Sequence, residues 1–65
     1  MNILLNGESK QTKCKTVSEL LNELDIRLGR VAVEVNLQII RKTDYESHQL
    51  SEGDIVEIVN FVGGG

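Results

Sequence analysis

The three glycines at the end of the chain, Gly63, Gly64 and Gly65, are the residues whose type and spacing most clearly suggest chemistry. Folding does not account for them, because glycine loses more backbone entropy on ordering than any other residue. A segment without Cβ atoms can pass through a narrow channel in another protein and bring the carboxylate of Gly65 close to a nucleotide. We therefore interpret 63–65 as a flexible arm; a frayed end or a cloning remnant is the alternative.

A free carboxylate is too stable an anion to accept a nucleophile, so Gly65 would have to be activated. Attack of its carboxylate on the α-phosphate of ATP gives an acyl adenylate, from which a nucleophile can displace AMP. The sequence has no glycine-rich phosphate-binding loop, so we expect a partner enzyme to supply ATP, magnesium and the cationic groups that offset phosphate charge. On this interpretation the chain has no catalytic residues, binds no metal or cofactor, and is not an enzyme.

Cys14 and His48 offer a different chemistry, that of a thiol nucleophile with its base. Lys13 and Lys15 could lower the pKa of the thiol, but the sequence identifies no oxyanion site and no third orienting residue. A single cysteine cannot form an internal disulfide, and a zinc site would lack clustered ligands. We expect Cys14 to be an incidental or half-buried strand residue and His48 to be a surface loop residue.

The composition limits the partners. Seven basic and ten acidic residues give a net charge of −3, and Tyr45 and Phe61 are the only aromatic residues, which argues against nucleic acid. The acidic excess suits docking on a basic protein surface or simply solubility. With no signal segment and no run of about 20 apolar residues, we expect one domain in the reducing cytoplasm, without a membrane role.

The first elements predicted are a hairpin and a helix. The Asn6-Gly7 dipeptide favours a two-residue turn after strand 2–5, and the lysine-rich return strand over 8–15 reads as an edge strand, protected against pairing with other molecules. This argues against a binding module that works by strand addition. Thr16 and Glu19 form a capping box for a helix over 17–25. Its apolar stripe should pack on a sheet, with Asn22 and Glu23 facing water and Gly29 in the exit loop; the stripe consists of Val17, Leu20, Leu21, Leu24 and Leu28.

The sequence of the second half of the chain predicts three further strands. Alternating valines over 31–35 indicate a half-buried strand, and 37–40 can return as a short one. An irregular segment over 41–49, with room for one helical turn, should place Tyr45 and Leu50 in the core. A turn over 51–54 precedes a β-branched strand over 55–62, which suits the centre of a sheet. The result is an α+β domain over 1–62 followed by the tail 63–65.

Strand alternation also predicts a surface. If Val56 and Ile58 face the helix, then Val59 and Phe61 face the other side. We predict that Val59, Phe61 and Val62 form a partner-docking surface near the tail. A bulge or neighbouring side chains that cover them would be the alternative.

These features together resemble the sulfur carrier proteins of thiamine biosynthesis, across the whole chain. The resemblance rests on the order of elements, the Gly53-Asp54 turn, the strand 55–62 and, most specifically, the ending 61–65, Phe-Val-Gly-Gly-Gly. It implies a ubiquitin-like β-grasp fold, in which a mixed sheet of about five strands packs on one main helix. The first and last strands would lie in parallel at its centre.

The resemblance also implies a function. A ubiquitin-activating-like adenylyltransferase would adenylate Gly65, with Gly63 and Gly64 in its active-site channel. A persulfide relay, fed by a donor such as a cysteine desulfurase, would convert Gly65 to 1-thioglycine, whose thiocarboxylate donates sulfur to thiazole synthase. The molybdopterin synthase small subunit and a tRNA-thiolation carrier use the same tail chemistry, and a ubiquitin-like modifier that forms isopeptide bonds is a further alternative. The sequence leaves open the final sulfur acceptor, the sulfur donor and the oligomeric state.

Overall fold

The computed structural model describes residues 1–26 and 30–61. Within them, five strands form one mixed sheet in the order β2-β1-β5-β3-β4, and one α-helix packs on one face. The elements in chain order are β1 (Asn2–Leu5), β2 (Glu8–Gln11), α1 (Val17–Glu23), β3 (Val31–Val35), β4 (Gln38–Ile40), a 3₁₀ helix (Lys42–Asp44) and β5 (Ile55–Asn60). The expected α+β architecture of about five strands and one main helix is confirmed.

The last strand lies at the centre of the sheet, as its apolar sequence predicted. It pairs in parallel with β1, where Leu4 lies opposite Ile55, and antiparallel with β3, where Val33 lies opposite Ile58. Because β5 has a neighbour on each side, its backbone direction is fixed by two ladders. The segment that follows β5 therefore starts from one of the most constrained strands in the domain.

The first hairpin forms at the predicted turn, where Asn6 and Gly7 have φ of 48° and 83°. The prediction that its return strand runs to Lys15 is wrong, because β2 ends at Gln11. The N–H of Thr12 still donates to the carbonyl of Met1, at 2.9 Å. Residues 13–15 lie outside β2 and lead into the helix instead. β2 is nevertheless an edge strand, as expected.

The helix begins as predicted and ends two residues early. The hydroxyl of Thr16 accepts from the N–H of Glu19 at 3.2 Å, while the Glu19 carboxylate accepts from the N–H of Lys15 rather than that of Thr16. The predicted end at Asp25 is wrong: α1 ends at Glu23, and Asp25 has a φ of 59°, which an α-helix cannot contain. Leu28 and Gly29 lie outside the described residues.

The core lies between α1 and the sheet. Val17, Leu20 and Leu21 of the helix are fully buried. Tyr45 and Leu50, which come from the irregular segment around the 3₁₀ helix, are buried with them, as predicted. The turn over 51–54 is also confirmed, since Gly53 has a φ of 83° and the N–H of Asp54 donates to the carbonyl of Ser51 at 3.1 Å.

Candidate functional site

The strand that leads to the terminal glycines is held by side chains as well as by its ladders. The Asn6 amide pairs with the backbone of Ile58 like a short strand: its Nδ2 donates to the carbonyl at 3.2 Å and its Oδ1 accepts from the N–H at 2.8 Å. At the start of β5, Oδ1 of Asn36 accepts from the N–H of Ile55 at 2.9 Å. Two turn asparagines thus fix the position of β5 along its neighbours.

The prediction that the last strand extends to Val62 is wrong. β5 ends at Asn60, and Phe61 follows it with its N–H donating to the carbonyl of Arg30 at 2.7 Å. Val62, Gly63, Gly64 and Gly65 lie outside the described residues, so their predicted roles stay predictions.

The predicted exposure of the open sheet face is confirmed. Val56 and Ile58 are buried under α1, whereas Val59 and Phe61 are 53% and 55% exposed. The alternative, that a bulge or neighbouring side chains cover these two residues, is therefore wrong. Their role in docking stays a prediction.

Sequence reasoning missed other apolar side chains on the same face. Leu4, Ile39 and Ile55 are also exposed, and they alternate along their strands with the buried Ile3, Ile40 and Val56. The same period-two pattern that identified Val59 could have found them. The exposed apolar surface therefore extends over residues of β1, β4 and β5 on this face.

Cys14 lies elsewhere, in a polar cluster next to the end of α1. The thiol is buried and donates to Oε1 of Glu23 over a distance of 3.0 Å. Burial, and then the bond to Glu23, raise the pKa of the thiol, so it is protonated near neutral pH. The prediction of a half-buried strand residue is therefore wrong, because Cys14 is buried and lies outside the strands. Its environment opposes a nucleophilic role.

Glu23 is the centre of this cluster. Oε1 also accepts from the hydroxyl of Thr12 at 3.1 Å, and Oε2 lies 3.0 Å from Nζ of Lys10. The hydrogen bond from Cys14, followed by those from Lys10 and Thr12, lowers the pKa of Glu23 to about 2 from its ordinary 4.5. The carboxylate is therefore charged over the whole physiological range and ties the helix to the edge of the sheet.

His48 does not join Cys14 in a catalytic pair. It is half-buried rather than fully on the surface, and its carbonyl accepts from the N–H of Val17 at 3.1 Å. Over 1–26 and 30–61, no hydrogen bond links it to Cys14, and no group of three His, Cys, Asp or Glu side chains in these ranges could hold a metal. No helix in the described part of the chain is long and apolar enough to cross a membrane.

Together, the mixed sheet, the single helix, the apolar open face and the central last strand define a small protein of the ubiquitin-like β-grasp class. Val59 and Phe61 are exposed on the sheet face opposite the helix. A family model described as the ThiS family matches residues 3–65. The chain belongs to the ThiS family, which confirms the resemblance seen in the sequence.

Individual relatives agree with this assignment. The chain is 40% identical to the sulfur carrier protein ThiS of Bacillus subtilis, with 94% of this chain and 96% of that protein covered. The crystal structure of the thiamine biosynthesis protein ThiS of Geobacter metallireducens superimposes with a TM-score of 0.83 at 30% identity, over 100% of both chains. The chain is also 42% identical to a thiazole synthase of Paramagnetospirillum magneticum, of whose length it spans 20%.

Proposed function

We propose that this chain is the sulfur carrier for thiazole formation in thiamine biosynthesis, and that the carboxylate of Gly65 is its working group. The observation that carries the proposal is the family match, which extends from residue 3 to Gly65 and so includes the terminal glycines. The central position of β5 supports it, because this strand is held on both sides up to Asn60, a few residues before the terminal glycines in the sequence.

The proposed chemistry is supplied by partners. A carboxylate oxygen of Gly65 attacks the α-phosphate of ATP, which is bound with magnesium by an adenylyltransferase, and pyrophosphate leaves. The terminal sulfur of a persulfide, formed by a cysteine desulfurase or its relay, then attacks the acyl carbon and AMP leaves. Reduction of the resulting acyl disulfide by a second thiol releases the thiocarboxylate. The proposal locates this cycle in the cytoplasm, where ATP and reduced thiols are available.

Thiazole synthase is the proposed sulfur acceptor. A protein that bears this name in Paramagnetospirillum magneticum contains a segment that the whole chain matches at 42% identity. A carrier-like segment within such a protein supports thiazole synthase over molybdopterin synthase or a tRNA-thiolation enzyme as the acceptor for this chain. The proposed docking surface is formed by Val59, Phe61 and Val62, of which Val59 and Phe61 are exposed beside the end of β5.

The test is the intact mass of the protein after incubation with its cognate adenylyltransferase, ATP, magnesium and a persulfide donor. We expect the increase that corresponds to one oxygen replaced by sulfur, located on the C-terminal peptide. Oxidation of Met1 adds nearly the same mass, so the peptide assignment decides between them. Blocking of the new group by a thiol-alkylating reagent should distinguish it from an oxidised residue.

Two variants serve as controls. Deletion of Gly64 and Gly65 should abolish the modification, whereas Cys14→Ser should leave it unchanged, because the thiol is buried and bonded to Glu23. An unmodified C-terminal peptide in the complete reaction would refute the proposal. High-mass conjugates with lysines of other proteins would favour a protein modifier instead.

A further inference from the structure

The open face of the sheet carries a pair of carboxylates inside its apolar surface. Glu34 of β3 and Glu57 of β5 are direct partners in the antiparallel ladder, and Ile39 of β4 lies opposite Glu34 on the other side. A groove on this face is lined by these three side chains together with Ala32 and Val59. Two acidic groups therefore lie where the surroundings would otherwise suit a fully apolar contact.

The fold itself does not explain this pair. Like charges directly opposite each other on a sheet are destabilising. Over 1–26 and 30–61, no hydrogen bond or ion pair involves either carboxylate, whereas the fold uses those of Glu19, Glu23 and Glu52. The free protein thus bears a local repulsion that a suitable partner would remove.

We propose that this sheet face docks on a partner surface in which aliphatic side chains surround one arginine, and that this arginine inserts between Glu34 and Glu57. Arginine fits better than lysine because its planar guanidinium can donate to two carboxylates at once. Since charged groups are generally depleted from the cores of interfaces, two carboxylates in this position call for an opposite charge. The net charge of −3 adds to the attraction.

The surface also indicates which partner it serves. Val59 lies in the same groove, and β5 continues from it toward the C-terminal glycines. The partner on this face is therefore the adenylyltransferase that receives Gly65. The inference thus rests on the proposed function. A second copy of this chain would bring the same two carboxylates to a symmetric contact, and nucleic acid would bring phosphates, so both are repelled.

The test compares Glu34→Gln/Glu57→Gln with the matched control Glu8→Gln/Glu46→Gln. The control removes the same charge from two exposed positions that do not line the groove. Binding to the cognate adenylyltransferase is measured by calorimetry at low and high salt, and thermal unfolding is followed for each protein. We expect the first variant to bind at least about tenfold more weakly, with a flatter salt dependence, and to unfold at the same or a higher temperature. The control should bind within about twofold of the wild type, as expected for exposed charges.

The outcomes separate this inference from the proposed function. If both double variants bind alike while the wild type gains its thiocarboxylate, the arginine contact is refuted and the carrier function stands. A less stable Glu34→Gln/Glu57→Gln protein would also refute it, because the pair would then have a structural role. If the wild type is neither bound nor modified, the proposed function fails and this inference fails with it.

Discussion

At the scale of single residues, the contacts of the Glu23 carboxylate affect both the stability of the fold and the state of the Cys14 thiol. It accepts hydrogen bonds from the Cys14 thiol and the Thr12 hydroxyl, and it pairs with Lys10. Each contact favours the charged carboxylate, while burial, followed by the bond to Glu23, raises the pKa of the Cys14 thiol. One side chain thereby joins the end of the helix to the edge of the sheet and also bonds the buried thiol.

This contact predicts a dependence of stability on pH. The pKa of Glu23 is lowered in the folded protein to about 2, from 4.5, so its contribution to stability is fully present above pH 4.5 and is lost as the pH falls toward 2. Urea unfolding over this range should show that Glu23→Gln loses less stability with acidification than the wild type. Parallel curves for the two proteins would mean that the other carboxylates alone determine the acid response.

The sequence could not have predicted this cluster. It placed Lys13 and Lys15 beside Cys14, which suggests a lowered pKa for the thiol. The actual partner is nine positions away, and the contact depends on how the helix lies against the segment after β2. Side-chain types and spacing along a strand do not show how the helix lies against that segment. The capping of the helix by Thr16 involves residues three positions apart, so the sequence predicted it.

At the scale of elements, two turn asparagines hold β5 in register. Asn6 and Asn36 both have positive φ, and both use their amides to hydrogen-bond the backbone of β5. Asparagine suits these positions because it tolerates the left-handed region and carries a group shaped like a peptide bond. The turns therefore fix the strand that leads to the terminal glycines.

Substitution of turn residues by glycine should separate the effect of the positive φ from that of the hydrogen bonds made by the side-chain amide. Asn6→Gly keeps the permitted φ but loses two hydrogen bonds to Ile58, and should lower the free energy of unfolding by about 1–3 kcal/mol. Leu37→Gly is the matched control: Leu37 has a φ of 71° and is 87% exposed. Relief of that strain should leave stability unchanged or raise it by up to about 1 kcal/mol. Equal losses in the two variants, measured by urea unfolding, would show that the amide bonds contribute nothing specific.

The number and order of the elements could be predicted from the sequence, but the ends of β2, α1 and β5 could not. Alternation and helical spacing depend on neighbouring residues, so they identified all five strands and the helix. The end of β2 at Gln11 depends on where its partner strand begins, and the end of α1 depends on the left-handed conformation of Asp25. Both are set by the assembled sheet and its connections.

At the scale of the molecule, the helix covers one face of the sheet, and the described residues leave the other face open. The open face carries exposed Val59 and Phe61. We predict that Phe61→Asp reduces the rate of thiocarboxylate formation by about tenfold or more, as loss of an aromatic anchor in an interface does. Urea unfolding should be little changed, because the side chain is half exposed.

The matched control for this prediction is Leu37→Asp, which places the same new charge on an exposed apolar residue in the turn between β3 and β4. Intact-mass kinetics should show normal thiocarboxylate formation for this control. Equal rates for the two variants would remove Phe61 from the docking surface while leaving the carrier chemistry in place.

The strand order has a consequence for how the protein is made. β1 and β2 form one half of the sheet, β3 and β4 form the other, and only β5 joins them. A chain emerging from the ribosome therefore cannot complete its sheet until 55–60 have appeared, because the central contacts join positions as distant as Leu4 and Ile55. A prematurely terminated product that lacks β5 would lack both the strand that joins the two halves of the sheet and the terminal glycines. Incomplete chains should thus remain partly unfolded and be cleared by proteases.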